Sequence, residues 1–400
     1  MCAQHLGRLP EGVRDLLPTE AKYKRNLEKK FAQLVEKWGY QEIVTPTFEY
    51  VENFAFSNNE DKLYKFLDRS GNVVAMKPDT TIPIARLVAL RMKKVPLPLK
   101  FYYLSHAFRY EEALAGRQRE IYQAGVELLG SKSLLADAEV IALAIESAKG
   151  CGLKSFKVSL GSIAIFNKLM SELELPKNRI QAIKKAVEDK DFVLLERLCS
   201  EPADTHSTAG LQGVSTETKE RIIKLLSLQG DQGILSAAYK VLGENVRQEL
   251  DDLSEVYRFL KNYDADNYVT IDLGLLPKLN YYTGVVFELY TLGIGIPICS
   301  GGRYDFLSGY FGYDLPATGF ALSIDSILEA CREFKDVHFK DGRADVLIAW
   351  VRGKLDLAIK KANELRKKGI KTELKLDESS LETAKEYADK HNIKEVIYID

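Results

Sequence analysis

The 400 residues include 46% hydrophobic residues and carry a formal net charge of −1, enough apolar chain for two or three domains with their own cores. A near-neutral total gives no global basic field, which excludes a chain that holds nucleic acid by bulk charge alone. Five cysteines and five histidines lie scattered, without disulfide or ligand spacing, and no apolar run has membrane length, so the expectation is a reduced, cytoplasmic, non-membrane chain without metal or cofactor.

Leu9 to Pro18 reads as an irregular segment punctuated by proline and glycine. From Thr19 the spacing of Tyr23, Leu27, Phe31, Leu34, Val35 and Trp38 predicts a helix with one apolar face, stopped by Gly39. Gln41 to Val44 reads as a strand broken by Pro46. In Met76 to Arg86 (MKPDTTIPIAR), Asp79 or Thr81 can cap a helix that has Pro83 in its first turn. The same carboxylate and hydroxyl also suit a substrate ammonium, whose three donors need acceptors of both kinds.

Phe101 to Gly130 is predicted to form a hairpin. One strand ends at Arg109, a polar turn holds Ala115 and Gly116, and a second strand returns from Ile121 to Leu129. It projects Arg109, Glu111, Arg117, Arg119, Gln123 and Glu127 from one small surface. Three guanidinium groups suit an anion, because each forms fork-shaped bonds to carboxylate or phosphate. A solvated, charged hairpin is the alternative.

Ser133 is placed to cap a helix that ends at Gly150, and Phe156, Val158 and Leu160 alternate as a strand. Between about residues 166 and 266 short helical periods predict a helical insertion, and the sheet resumes at Tyr268. Tyr282 and Tyr304 follow, in LPKLNYYTGVVFE and SGGRYD. Tyrosine hydroxyls beside a carboxylate suit an imidazole, which offers one donor and one acceptor on opposite edges; plain strand packing is the alternative. From Ala344 the order is strand (Val346 to Trp350), helix (Leu355 to Lys368), strand (Thr372 to Leu376), helix and strand (Glu395 to Asp400). Ser379 with Glu382 reads as a capping box, and this βαβαβ order predicts a parallel sheet. The Lys360, Lys361, Arg366, Lys367 and Lys368 cluster reads as a solvated helix face, with RNA contact as the alternative.

In the order FRYE, RE and QAGVE, the hairpin closely resembles motif 2 of the class II aminoacyl-tRNA synthetases in their histidyl form. Further segments match in the same order. The long helix and strand before Pro46 resemble motif 1, the dimer-forming element, and MKPDTTIPIAR resembles RPE-G-T-AP-AR. LPKLNYYTGVVFE is similar to RGLDYYT-x-x-VFE, SGGRYD to GGGRYD, and ATGFALSIDSIL to motif 3. The resemblance implies an α+β fold, with a class II antiparallel sheet flanked by helices, a helical insertion and a small C-terminal α/β domain. Its boundaries would be 1–330 for the catalytic-type domain and 344–400 for a truncated anticodon-binding-like domain. It also implies that histidine is held by Asp79, Thr81, Arg109, Gln123, Glu127, Tyr282 and Tyr304, with a residual phosphate or nucleotide site at Arg109, Glu111, Arg117 and Arg119.

The departures from that family gather on the ATP side. Pro277 stands at the place of the histidyl-specific catalytic arginine, with Lys278 beside it, and Ser326 at the place of the motif 3 arginine that grips the γ-phosphate. Ser323 replaces a glycine, Ile121 an aromatic that stacks on adenine, and Glu120 puts a carboxylate beside the phosphate path. Loss of one oxyanion-type donor costs on the order of 10²–10³ in rate, so the expectation is a pocket that binds histidine without activating it, with no catalytic residue. Such a chain is similar to the regulatory subunits of ATP phosphoribosyltransferase, a synthetase-like family. That resemblance implies activation of a short catalytic subunit, feedback sensing of histidine, a homodimer within a hetero-oligomer, and no tRNA partner. The alternatives are a divergent histidyl-tRNA synthetase and a non-catalytic tRNA-binding sensor.

Overall fold

The computed structural model describes residues 6–57, 60–110, 118–173, 175–200, 216–277, 279–333 and 344–400. The chain divides into two compact units, residues 1–334 and 335–400. In the first, α1 (Pro18–Glu36) leads to β1 (Gln41–Glu42), then to β2 (Phe48–Tyr50), β3 (Lys65–Leu67) and β4 (Val73–Met76). Next come α2 (Thr81–Arg91), the long hairpin strands β5 (Leu99–Phe108) and β6 (Glu120–Leu129), α3 (Leu134–Gly150) and β7 (Phe156–Ser162). The helical stretch contains α4 (Ile163–Ser171), α5 (Lys177–Glu188), α6 (Phe192–Ser200) and α7 (Thr216–Ser227). It continues with β8 (Gln229–Gly230), α8 (Gly233–Val241) and α9 (Arg247–Asn262). β9 (Val269–Asp272), β10 (Val285–Thr291), β11 (Cys299–Arg303), β12 (Ala317–Ser323) and α10 (Ile324–Glu333) complete the unit.

Nine of these strands form one sheet in the order β1-β5-β6-β12-β11-β10-β7-β9-β8. Only the β1–β5 and β7–β9 pairs are parallel, so the fold class expected from the sequence is the one observed. β2, β4 and β3 form a small antiparallel sheet that the sequence reading did not include.

Strand alternation decides what each face of the large sheet does. Tyr102 of β5 and Phe320 of β12 point to one face, where Phe31 of α1 meets both edge-on at 6.4 and 6.3 Å. α3 packs beside α1 against the same sheet, with Val140, Ile141, Leu143, Ala144 and Ile145 fully buried. Its start is fixed by Ser133, whose hydroxyl accepts from Leu135 N–H at 3.2 Å. This face is the core.

The register sets a different set of residues on the other face. Phe101, Glu127, Gly319 and Gly302 form one row across β5, β6, β12 and β11, continuing to Val286. The neighbouring row is Tyr103, Gly125, Ala321, Ser300 and Glu288. The glycines in both rows let the Glu127 and Tyr103 side chains lie close across the sheet, and their surroundings are the candidate site.

In the second unit β13 (Val346–Trp350), α11 (Leu355–Lys367), β14 (Thr372–Leu374), α12 (Leu381–Lys390) and β15 (Glu395–Ile399) make a three-stranded parallel sheet, ordered β14-β13-β15. One face packs Leu347 and Ala349 against Ala384 and Ala388 of α12. The other packs Ile348 against Ala358 and Ala362 of α11. Ser380, not Ser379, caps α12 by accepting from Thr383 N–H at 3.2 Å. Among the described residues no helix is long and apolar enough to cross a membrane.

Candidate functional site

Glu127 is the centre of the site. It is buried on β6, and its carboxylate accepts from Thr81 Oγ1 at 2.6 Å and from the Tyr304 hydroxyl. A strand, the loop just past β11 and a helix N-terminus, far apart in sequence, therefore converge on one acid. Burial pushes Glu127 up to about 8, with the two hydroxyl donors pulling down and nearby Asp79 pushing further up. Gly319 lies directly opposite in the register, and a Cβ there would stand 2.0 Å from Glu127 Oε2. The carboxylate thus lies across a glycine because nothing larger fits beneath it.

Asp79 sits at the start of α2, where Oδ1 accepts from Ile82 N–H at 2.9 Å. The capping reading holds for Asp79, while Thr81 turns its hydroxyl to Glu127. Burial raises Asp79 above the usual carboxylate range, opposed by the Ile82 N–H and by the Arg109 guanidinium. Arg109 donates Nε to the Pro78 carbonyl at 2.7 Å, which ties the end of β5 to the Asp79 turn. Gln123 shares the site face with Glu127 by alternation, and its buried Oε1 has no hydrogen-bond partner among the described residues. It is an acceptor without a donor, which an amino group would supply. Tyr282 is buried, and its hydroxyl is raised by burial and by the Glu127 charge.

Two aromatic residues of the site were not among the candidates. Tyr281 lies 5.0 Å from Tyr282 and 5.7 Å from Tyr304, ring centroid to centroid. Tyr103 pairs with Gly125, and a Cβ on Gly125 would stand 2.4 Å from its hydroxyl. A tyrosine registered against a glycine is the signal that finds it, and that signal needs the strand pairing.

The side that the resemblance assigns to a nucleotide is arranged differently. Ser326 is buried at the start of α10, where its N–H and hydroxyl both reach Ser323 Oγ, at 3.1 and 2.9 Å. Asp325 accepts from Tyr122 N–H at 2.8 Å and from Arg14 Nη2 at 3.0 Å. Pro277 is buried and has no N–H to offer. Arg119 stacks over the Tyr110 ring at 4.6 Å and pairs with Glu11 at 3.3 Å, packed against Gly12. Glu120 corrects one expectation: it alternates to the core face, where it meets His106 Nδ1 at 2.9 Å, and does not flank the phosphate path. Glu111, Arg117 and Lys278, with the Ala115 and Gly116 turn, lie outside the described residues.

The loop bearing Tyr304 is fixed from behind. Arg303 donates to Asp137 at 2.7 and 3.0 Å, to Asp305 at 3.1 Å and to the Ser131 and Ser133 carbonyls. Both members of the Arg303–Asp137 pair are buried.

This sheet, with an acid ringed by tyrosines beside a helix N-terminus, defines a histidyl-tRNA synthetase-like protein of class II. The histidyl-tRNA synthetase family model matches residues 12–327, and the Nostoc sp. PCC 7120 histidyl-tRNA synthetase superposes with TM-score 0.80 over 98% of this chain and 92% of that one, at 22% identity, a likeness of fold. Within that class the chain belongs to the ATP phosphoribosyltransferase regulatory subunit family. The relative so named from Desulforamulus reducens is 43% identical over 402 residues, covering 100% of this chain and 98% of that one. Its counterpart from Moorella thermoacetica is 42% identical over 90% of each chain. A solved structure from Bacillus halodurans C, described as an ATP phosphoribosyltransferase regulatory subunit/histidyl-tRNA synthetase, is 32% identical with TM-score 0.84, covering 99% of both.

Proposed function

We propose that this chain is the cytoplasmic regulatory subunit of ATP phosphoribosyltransferase, which activates a short catalytic subunit and senses histidine in the first step of histidine biosynthesis. The observation that carries this reading is the contrast within one site. The acid-and-tyrosine cluster around Glu127 is assembled, while the place of the γ-phosphate arginine is taken by Ser326, folded back on Ser323.

In this reading Glu127, Tyr282 and Tyr304 hold the imidazole. Asp79, Thr81 and the open Gln123 acceptor receive the amino group, and Arg109 meets the carboxylate. Aminoacylation is lost because no guanidinium stands at Pro277 or Ser326 to stabilise charge as an adenylate forms. The phosphoribosyl transfer takes place on the partner, where ATP N1 attacks phosphoribosyl pyrophosphate. Histidine inhibits by binding the inhibited state of the complex more tightly than the active one, as linkage requires. The working form is a homodimer within a hetero-oligomer, without tRNA.

The test is histidine-dependent ATP–pyrophosphate exchange on the purified chain, with histidine binding by calorimetry in the same preparation. Binding without exchange, and stimulation of the short catalytic subunit that histidine reverses, is the expected result. Exchange at enzyme-like rates would make this a working synthetase. Tyr304→Ala is expected to abolish histidine inhibition of the complex, and unchanged inhibition would move the sensor elsewhere.

A further inference from the structure

The sheet of the C-terminal unit has two open edges, β14 and β15, and they differ in what they can pair with. In β15 the Glu395 N–H donates to the Asp345 carbonyl at 3.2 Å, and the Ile399 carbonyl accepts from Val351 N–H at 3.1 Å. Residues 395, 397 and 399 therefore bond inward to β13. By alternation the N–H and C=O groups of Val396 and Tyr398 point outward, and β15 has no strand on that side among the described residues.

The edge itself is apolar and well supported. Val396 and Tyr398 pack on the α12 side, Ile397 and Ile399 on the α11 side, and all four are partly buried. No proline lies in it, and its one charged residue, Glu395, is exposed at the very start of the strand, leaving residues 396–399 without the usual devices that blunt a sheet edge. Lys394 and Asp400 flank it, exposed and of opposite sign.

Two β15 strands paired antiparallel about Ile397 set Val396 opposite Tyr398, a hydrogen-bonded pair that uses the outward groups. The same register puts Lys394 of each strand opposite Asp400 of the other, so the charge pattern is complementary to itself under a two-fold axis. β14 behaves in the opposite way. Paired about its middle residue, it sets Lys371 opposite Lys375 and Glu373 opposite itself, like against like.

We propose that the outer edge of β15 is a docking surface for a second copy of this chain, joined antiparallel about Ile397 so that three strands from each copy form one continuous sheet. One strand pair covers well under the ~1,000 Å² of a stable specific interface. The association is therefore weak, dependent on concentration, and weaker in high salt as the Lys394 and Asp400 pairs are screened.

In sedimentation equilibrium of the full chain this step reads as concentration-dependent assembly beyond the homodimer of the proposed function. Lys394→Asp and Asp400→Lys each place like charges opposite one another and are expected to weaken the step roughly tenfold. The double variant restores the complementary pairs and recovers it. In a Cys2→Ser background, Ile397→Cys is expected to give a covalent dimer on mild oxidation, since non-hydrogen-bonded antiparallel partners bring their Cβ atoms within about 5 Å. Association unchanged in both single variants, no recovery in the double variant, or no cross-link through position 397 would each overturn the proposal. So would an Ile397→Cys, Glu373→Cys chain that cross-links mainly between the two positions, which would mean head-to-tail stacking of β15 on β14.

Discussion

Glu127 holds its proton over a wider pH range in the native chain than in the unfolded one, because burial lifts it from the ordinary glutamate value of 4.5 to about 8. Between those values the native state binds more protons, so stability is greatest at the acid end and falls as pH rises toward 8, by up to about 1.4 kcal/mol per pH unit. Glu127→Gln lacks the ionisation and loses that slope. Urea unfolding of both chains at pH 5, 6.5 and 8 checks this, and parallel pH profiles would contradict it. Asp137 supports the site from outside it. Asp137→Ala leaves the Arg303 guanidinium buried with Asp305 as its remaining charged partner among the described residues, and is expected to cost about 3 kcal/mol in urea unfolding. Histidine affinity should fall as well, because Tyr304 follows Arg303 in the chain. A loss below about 1 kcal/mol would mean that Asp305 compensates. At this scale Asp79, Glu127 and Tyr304 were legible as residue types whose chemistry suits an amino acid. Tyr103 and Tyr281 were not, since an aromatic residue in or beside a strand is ordinary until its partner is known.

Among elements, β12 shows how a strand is shaped by the site it lines. Gly319 has Glu127 Oε2 and the Val126 carbonyl within 2.0 and 2.4 Å of where a Cβ would stand. Gly319→Ala is therefore expected to displace the Glu127 carboxylate and weaken histidine binding at least tenfold by calorimetry, with about 1–3 kcal/mol lost in stability. Histidine binding equal to that of the unaltered chain would show that the carboxylate has other room. The hairpin, α1, α3 and the βαβαβ order were legible from periodicity and caps. The sheet of β2, β3 and β4 was not, because strands of three or four residues with loops between them leave too few alternations to read. Glu120 was misplaced for a related reason: motif order tells which residues are near, and only the register tells which face they occupy.

For the molecule as a whole, the expected phenotype separates binding from chemistry. The chain should bind histidine, give no ATP–pyrophosphate exchange, and raise the activity of the short catalytic subunit in a histidine-sensitive way. Exchange and subunit assays on one preparation check all three. By itself the sequence determined the family and the order of the main helices and strands, because motif order, apolar period and capping chemistry are local and survive in one dimension. Only the tertiary structure decided that Thr81 and Tyr304 both close on Glu127, that Ser326 turns back on Ser323, and that Arg303 is locked to Asp137. Those contacts join residues 46, 177 and 166 positions apart, or depend on where one hydroxyl points. Such pairings are set by sheet register and by what burial leaves unpaired, neither of which can be read from neighbours along the chain.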